Sequence, residues 1–271
     1  HRRRPVLQAA LAEHDGFLYI LAGPHLYRYP LAALDAPPPL TGSLPAPITS
    51  PAPTAPPGSL LPNDPRWSDL LAAYHWQMPL TGAQLPDRGA IYPGSRRVYR
   101  YGVHEGLDLY GKDVGIDMTV GTPVYAAAAG TVLQADWAYQ EMTLAEVNGL
   151  LDDANARHIT PPETMTRLNG RQVWLDHGGG VVTRYSHLSA IAEGLQVGQP
   201  VASGQLIGYV GLSGTPDGIS GNTQFPHLHF EMRLGDNRQY YLGQWLTIEQ
   251  TRRLVERLFN VPVRPAYLEF K

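Results

Sequence analysis

Pro226-His227-Leu228-His229-Phe230-Glu231 reads as a β-strand with two chemically opposite faces. Side chains in a strand alternate with a period of two, so His227 and His229 share one face and Leu228 and Phe230 share the other. The apolar pair anchors the strand in a core, and two imidazoles stand side by side on the reverse. A pair of surface histidines is the plain alternative, and on this stretch alone the two readings are evenly matched.

Working outward, the residues around that strand keep the same character from Val98 to Glu231, with short β-rich runs punctuated by glycine. Thr122 to Tyr125 and Gly130 to Leu133 read as strands. Gln172 to His177 and Val181 to His187, joined by Gly178-Gly179-Gly180, read as a hairpin. Gly204 to Val210 continues the pattern. Residues 139–168 interrupt it: Met142, Leu144, Val147 and Leu150 or Leu151 form a helical stripe that Pro161-Pro162 ends. A C-terminal helix is expected over Thr247 to Phe259, with Thr247 as N-cap and Leu254, Val255 and Leu258 facing inward.

The N-terminal part differs. Pro5 to His14 suggests a short helix, and Gly16 to Tyr29 a hairpin. A proline-dense connector runs from Asp35 to about Pro62 and has little to bury. Trp67, Leu70, Leu71 and Tyr74 recur at helical spacing. The expected division is an extension over 1–97, a β domain over 98–245 carrying the 139–168 insertion, and a helix and tail over 246–271.

Composition narrows the function. The 271 residues are 43% hydrophobic, enough for a packed core. With 21 Lys and Arg against 24 Asp and Glu, the formal charge of -3 offers no field for nucleic acid. No apolar run approaches the roughly 18 residues of a membrane span. The chain has no cysteine, so any zinc must be held by nitrogen and oxygen.

Two further segments bring such donors. His104-Glu105-Gly106-Leu107-Asp108 offers an imidazole and a carboxylate four residues apart, which meet on a helix or along one face of a strand or bend. Arg184-Tyr185-Ser186-His187-Leu188 ends a strand in a histidine, with Tyr185 and His187 expected on one face. His177 competes for that role but stands at a glycine turn. His1, His14, His25, His75 and His158 read as structural or surface residues.

These segments, in this order and with Gly121-Thr122-Pro123-Val124-Tyr125-Ala126 and Gly204-Gln205-Leu206-Ile207-Gly208 between them, resemble the lysostaphin-type zinc endopeptidases, which cut peptidoglycan. The resemblance runs from about Val103 to Met232. It implies a mostly β fold: a small antiparallel β-sandwich with an open groove, here with a helical insertion, an N-terminal extension and a C-terminal helix. It implies Zn2+ held by His104, Asp108 and His229, with His187 and His227 as catalytic histidines that do not bind the metal. Two imidazoles and a carboxylate leave zinc a free position to activate water, and a histidine must carry the proton because no His-Glu-x-x-His helix is present. The implied substrate is the peptide of bacterial peptidoglycan, and the implied location is extracellular or periplasmic.

Two departures from the family pattern stand out. The link from Asp108 to Gly121 is long, and the insertion at 139–168 falls where relatives return directly to the next strand. Either the insertion walls the groove or it closes it. The competing functions are therefore a non-hydrolytic or autoinhibited relative that binds or regulates at the wall, a module with structural zinc, and a zinc amidase. Six tyrosines, Tyr92, Tyr99, Tyr101, Tyr110, Tyr125 and Tyr185, are available to a groove, and Arg96-Arg97 to a peptide carboxylate. A core role for each tyrosine and a solvated turn for the arginines are the simpler readings.

Overall fold

The computed structural model describes residues 9–14, 17–22 and 25–30 as backbone and strand pairing, and residues 60–264 with their side chains. The chain divides into two units, His1–Ala55 and Pro56–Lys271. In the first, β1 (Ala9–His14), β2 (Phe17–Ala22) and β3 (His25–Pro30) form an antiparallel three-stranded sheet. The expected hairpin is present. The expected helix is not: over 9–14 the chain is strand, with His14 opposite Phe17 and Ala9 opposite Ala22. Cross-strand pairing overrides the helix preference of Ala9-Ala10-Leu11-Ala12. The proline-rich connector lies, up to position 59, outside the described residues.

The second unit opens with α1 (Arg66–Ala72). Trp67 and Leu71 are buried, and the Trp67 indole N–H donates to the Leu61 carbonyl at 3.0 Å. Next come β4 (Arg96–Arg97), β5 (Gly102–Val103), β6 (Leu107–Tyr110), the short α2 (Gly111–Val114), β7 (Pro123–Tyr125) and β8 (Gly130–Ala135). The insertion folds as two helices, α3 (Leu144–Arg157) and α4 (Pro162–Leu168). A capping box starts α3: the Thr143 hydroxyl accepts from Glu146 N, and the Glu146 carboxylate accepts from Thr143 N. Pro162 opens α4, where its missing N–H costs nothing. Met142 and Val147 are buried as expected, but Leu144 is exposed and Ala154 takes an inward position.

Beyond the insertion lie β9 (Val173–Asp176), β10 (Val181–Ser186), β11 (Leu188–Ile191), β12 (Pro200–Val201), β13 (Leu206–Val210), α5 (Pro216–Ser220), β14 (His227–Leu234), β15 (Tyr240–Tyr241) and α6 (Ile248–Phe259). The larger open sheet runs β12-β8-β9-β10-β14-β15, with β6 also on β14. A smaller sheet runs β11-β13-β7, and β4 pairs with β5. These named pairs are antiparallel. The core is thus mostly β, with helical insertion and terminal extensions.

β14 is central. One edge lies along β10; the other is shared by β6 and β15. All eight of its residues are buried. On its apolar face Phe230 meets the Tyr185 ring at 5.3 Å between centroids and Phe259 of α6 at 5.9 Å. Thr247 caps α6 in a second capping box, with Gln250. The helix buries Val255, Leu258 and Phe259, with Leu254 only half-buried.

Candidate metal centre

Register brings the polar face of β14 and its neighbours into one cluster. His229 pairs with Asp108 across β6, and His227 pairs with Tyr110. Paired residues of an antiparallel ladder point to the same side, so Asp108, Tyr110, His227 and His229 share a face. His104 lies between β5 and β6. It is pinned there by its own N–H to the Ser95 carbonyl and by Gly94 N–H to its carbonyl, both at 2.7 Å. Gly106 admits the approach: a Cβ there would fall 2.7 Å from His229 Nε2 and 2.8 Å from the Phe230 carbonyl.

Three donor atoms converge. His104 Nε2 is 3.0 Å from His229 Nδ1 and 3.0 Å from Asp108 Oδ1; His229 Nδ1 is 2.8 Å from Asp108 Oδ1. All three residues are buried. Hydrogen-bond chemistry sets the tautomers. His104 Nδ1 faces the Tyr92 carbonyl at 3.3 Å, and His229 Nε2 faces Glu231 Oε1 at 3.0 Å. Neither oxygen can donate, so those nitrogens carry the protons. His104 Nε2, His229 Nδ1 and Asp108 Oδ1 are left presenting lone pairs to one another. Three acceptors facing inward in a buried site call for a cation, and this N,N,O set fits zinc.

Electrostatics support the same picture. Burial, only partly offset by Asp108, lowers the His104 pKa to about 4, so the ring is neutral at pH 7. Burial would raise the Asp108 carboxyl, but His104 and His229 hold it well below the usual carboxylate range. For His229, burial is outweighed by hydrogen bonds to Asp108 and Glu231, and its pKa rises to about 9. The carboxylates of Asp108 and Glu231 thus favour positive charge at this cluster.

His187 and His227 stand beside the triad. His227 Nε2 is 3.9 Å from Asp108 Oδ1, and its ring stacks on Tyr110 at 4.2 Å. The His187 ring lies 4.9 Å from that of His227 and 5.6 Å from that of His229. His187 reaches this position against the expectation that it shares a face with Tyr185. Tyr185 is paired with Phe230 and points into the core. His187 is the single residue between β10 and β11, and its φ of 59° turns the side chain to the other side as the chain changes sheets. His187 Nδ1 lies 2.8 Å from the Ser213 carbonyl and His227 Nδ1 3.1 Å from the Phe225 carbonyl. Each therefore donates from Nδ1 and keeps a lone pair at Nε2. Burial, reinforced by the neighbouring imidazoles, holds His187 well below the ordinary histidine range; burial also lowers His227.

Several supporting residues were not assigned roles from sequence. Glu231 is fully buried and orients His229; it also accepts from Asn169 Nδ2 at 3.0 Å, and the Arg184 and Arg233 guanidinium groups lie at 3.4 and 3.5 Å. The Asn169 carbonyl accepts from the His187 N–H at 2.9 Å. Period two from His229 and from Asp108 would have pointed to Glu231 and Tyr110. Nothing local points to Asn169, Tyr92 or Ser213. Arg97 does not wait for a ligand: Nη2 contacts Asp108 Oδ2 at 3.3 Å, and Nη1 donates to Ser95 Oγ at 2.8 Å. Of the tyrosines, Tyr92 and Tyr185 are core, while Tyr99 and Tyr101 are exposed. His177 lies apart, bonded to the Ala129 carbonyl and Thr183 Oγ1, both at 2.8 Å.

Residues 155–241 match the model for peptidase family M23. That segment holds His187, His227 and His229; His104 and Asp108 lie upstream and join it through the pairing of β6 with β14. The peptidoglycan DD-endopeptidase ShyA of Vibrio cholerae is 30% identical over 149 residues, 54% of this chain but 23% of that protein. This chain thus spans under a quarter of that relative. Among solved structures, the antimicrobial peptidase lysostaphin from Staphylococcus simulans aligns at 23% identity with a TM-score of 0.37, covering 62% of this chain and 51% of that one. A zinc-containing peptidase from Vibrio cholerae aligns at 22% identity with a TM-score of 0.34, covering 64% and 41%.

Proposed function

We propose, from the match of residues 155–241 to the model for peptidase family M23, that this chain is a zinc-dependent endopeptidase that hydrolyses peptide bonds in bacterial peptidoglycan. His104, Asp108 and His229 are its metal ligands, and His187 and His227 its catalytic histidines. The observation that carries this reading is the convergence of three lone pairs within 3.0 Å beside two further buried imidazoles. The wall substrate is supported by the relative named a peptidoglycan DD-endopeptidase. Such a substrate places the protein outside the cytoplasmic membrane, in the extracellular or periplasmic space. No helix among the described residues is long and apolar enough to cross a membrane.

Zinc bound here supplies Lewis acidity toward a carbonyl oxygen and makes water nucleophilic near neutral pH. The protein supplies the rest. His187 and His227 are held neutral by burial, and each is fixed at Nδ1 by a backbone carbonyl. One Nε2 accepts the proton of the attacking water, and the resulting imidazolium returns it to the leaving amine nitrogen. The other, neutral and with its lone pair at Nε2, accepts the second O–H of that water and holds it in line for attack. Tyr110, stacked on His227, keeps that ring from rotating away.

The test is zinc content together with release of new amino groups from purified peptidoglycan, for the parent and for His227→Ala. One zinc per chain in both proteins, with release only in the parent, is the expected result. Full zinc loading with no release from any wall preparation would overturn the peptidase reading in favour of a binding or regulatory protein.

A further inference from the structure

The start of the insertion and the loop after β13 meet around a cavity of about 310 Å3. Its wall includes Tyr139, Glu141, Arg171, Ser189, Ser213 and Asn222. The cavity adjoins the catalytic histidines: the Ser213 carbonyl holds His187 Nδ1, and Leu188, which follows His187 directly, is also part of the wall.

The two charged groups in this wall are in different states. The Glu141 carboxylate is satisfied. It accepts from the Tyr139 hydroxyl at 2.7 Å, from Met142 N at 3.0 Å and from Gly214 N at 3.0 Å. These bonds fasten the insertion to the loop and leave Glu141 little capacity for a ligand. Arg171 is not satisfied in this way. Its Nη1 donates to the Ser189 carbonyl, and its guanidinium lies 5.5 Å from the centre of the Tyr139 ring. Among the described residues no carboxylate oxygen lies within 4.0 Å of it, and Asp136 feels its charge only at longer range. A guanidinium has five N–H donors in a planar fork that matches a carboxylate.

We propose that this cavity is a subsite for a substrate residue carrying a free carboxylate, with Arg171 as its specificity-determining group and the Tyr139 ring as a flat wall for the adjoining carbons. The proposal rests on the peptidase reading above, because it is the neighbouring scissile bond that brings such a residue here. A lone guanidinium with a carboxylate nearby suits a singly charged anion and disfavours a phosphate. Tyr139 and Glu141 belong to the insertion, so the segment that departs from the family pattern supplies one wall of the subsite, while Arg171 lies just beyond it.

The experiment uses two synthetic stem peptides, identical except that one ends in a carboxylate and the other in the carboxamide. Each is titrated calorimetrically into zinc-loaded His227→Ala protein, which reads binding without turnover. The carboxylate peptide is expected to bind about tenfold tighter or more, the strength of a charge-assisted pair. Adding Arg171→Gln should erase the difference, and Arg171→Lys should keep part of it. Because the acid-to-amide ratio is taken within one protein, a reduced folded fraction does not alter it. Equal affinities with Arg171 intact, or a preference that survives Arg171→Gln, would overturn the proposal. In protein retaining His227, Arg171→Gln should raise KM for the acid peptide and leave kcat nearly unchanged. An Arg171-dependent preference without hydrolysis by the parent would keep the subsite and remove the peptidase reading. Hydrolysis with no preference would do the reverse.

Discussion

Glu231 Oε1 lies 3.0 Å from His229 Nε2, two residues along the same strand and on the same face. The carboxylate fixes the tautomer that turns Nδ1 toward His104 and Asp108, and it makes that nitrogen a stronger donor to metal. Glu231→Gln keeps the shape and removes the charge. Zinc affinity, measured by competition with a chromophoric chelator, should fall about 10–100-fold. The melting temperature should fall as well, since Arg184 and Arg233 lose a buried counter-charge.

Gly106 is the contact that lets the His104 segment close on β14. Its missing Cβ would meet His229 at both Cε1 and Nε2, at 2.7 Å. Gly106→Ala should displace the His229 ring and abolish stoichiometric zinc binding while the protein stays folded. Metal analysis after dialysis, with circular dichroism on the same sample, checks both halves.

Loading the site should stabilise the fold. A ligand at 100 times its dissociation constant adds about 2.7 kcal/mol, worth several degrees in a unit of this size. Titrating zinc into chelator-treated protein should raise the melting temperature by that amount. Asp108→Asn, which keeps volume and loses the anionic donor, should show little rise. A rise undiminished in Asp108→Asn would place the metal elsewhere.

His177 makes a separate prediction about acid. Burial lowers its pKa below 6.5, despite the Ala129 carbonyl and Asp176, so the fold prefers the neutral ring. In the window between that lowered value and 6.5, the unfolded chain binds the proton and the folded chain does not. The contribution to stability is therefore complete above 6.5 and is lost as pH falls through the folded pKa. Denaturant midpoints of the parent and His177→Gln should differ most above pH 6.5 and converge as pH falls through that window.

The legibility of this protein in its sequence follows the range of the interactions. Period two placed His227 and His229 on one face and Leu228 and Phe230 on the other, because alternation is local to a strand. The α6 N-cap at Thr247 was readable for the same reason, whereas Pro161-Pro162, read as the break of the helical stripe, opens α4 four residues after α3 has ended at His158. The pairing of Asp108 with His229 is long-range register, and no local pattern announces it; the family resemblance supplied it. His187 was set on the wrong face because strand alternation assumes extended backbone, and one left-handed residue reverses it. Ala9–His14 was read as helix from its composition, which carries no information about the strand that pairs with it. For Arg97 a solvated turn was the simpler reading and a peptide carboxylate the alternative; the fold sets its guanidinium on Asp108 instead.

Asn169 caps the end of α4, and from that one residue a carbonyl holds His187 and an amide holds Glu231. The stretch between Glu141 and Asn169 can therefore change length or content without touching these contacts, provided that both joins are kept: Glu141, which accepts from Gly214 N beside Ser213, and Asn169. An excision drawn one residue too far would release the His187 backbone and the Glu231 carboxylate behind His229 together. Anyone trimming this domain, or grafting a different insertion into it, should treat positions 141 and 169 as the fixed seams and the stretch between them as exchangeable cloth.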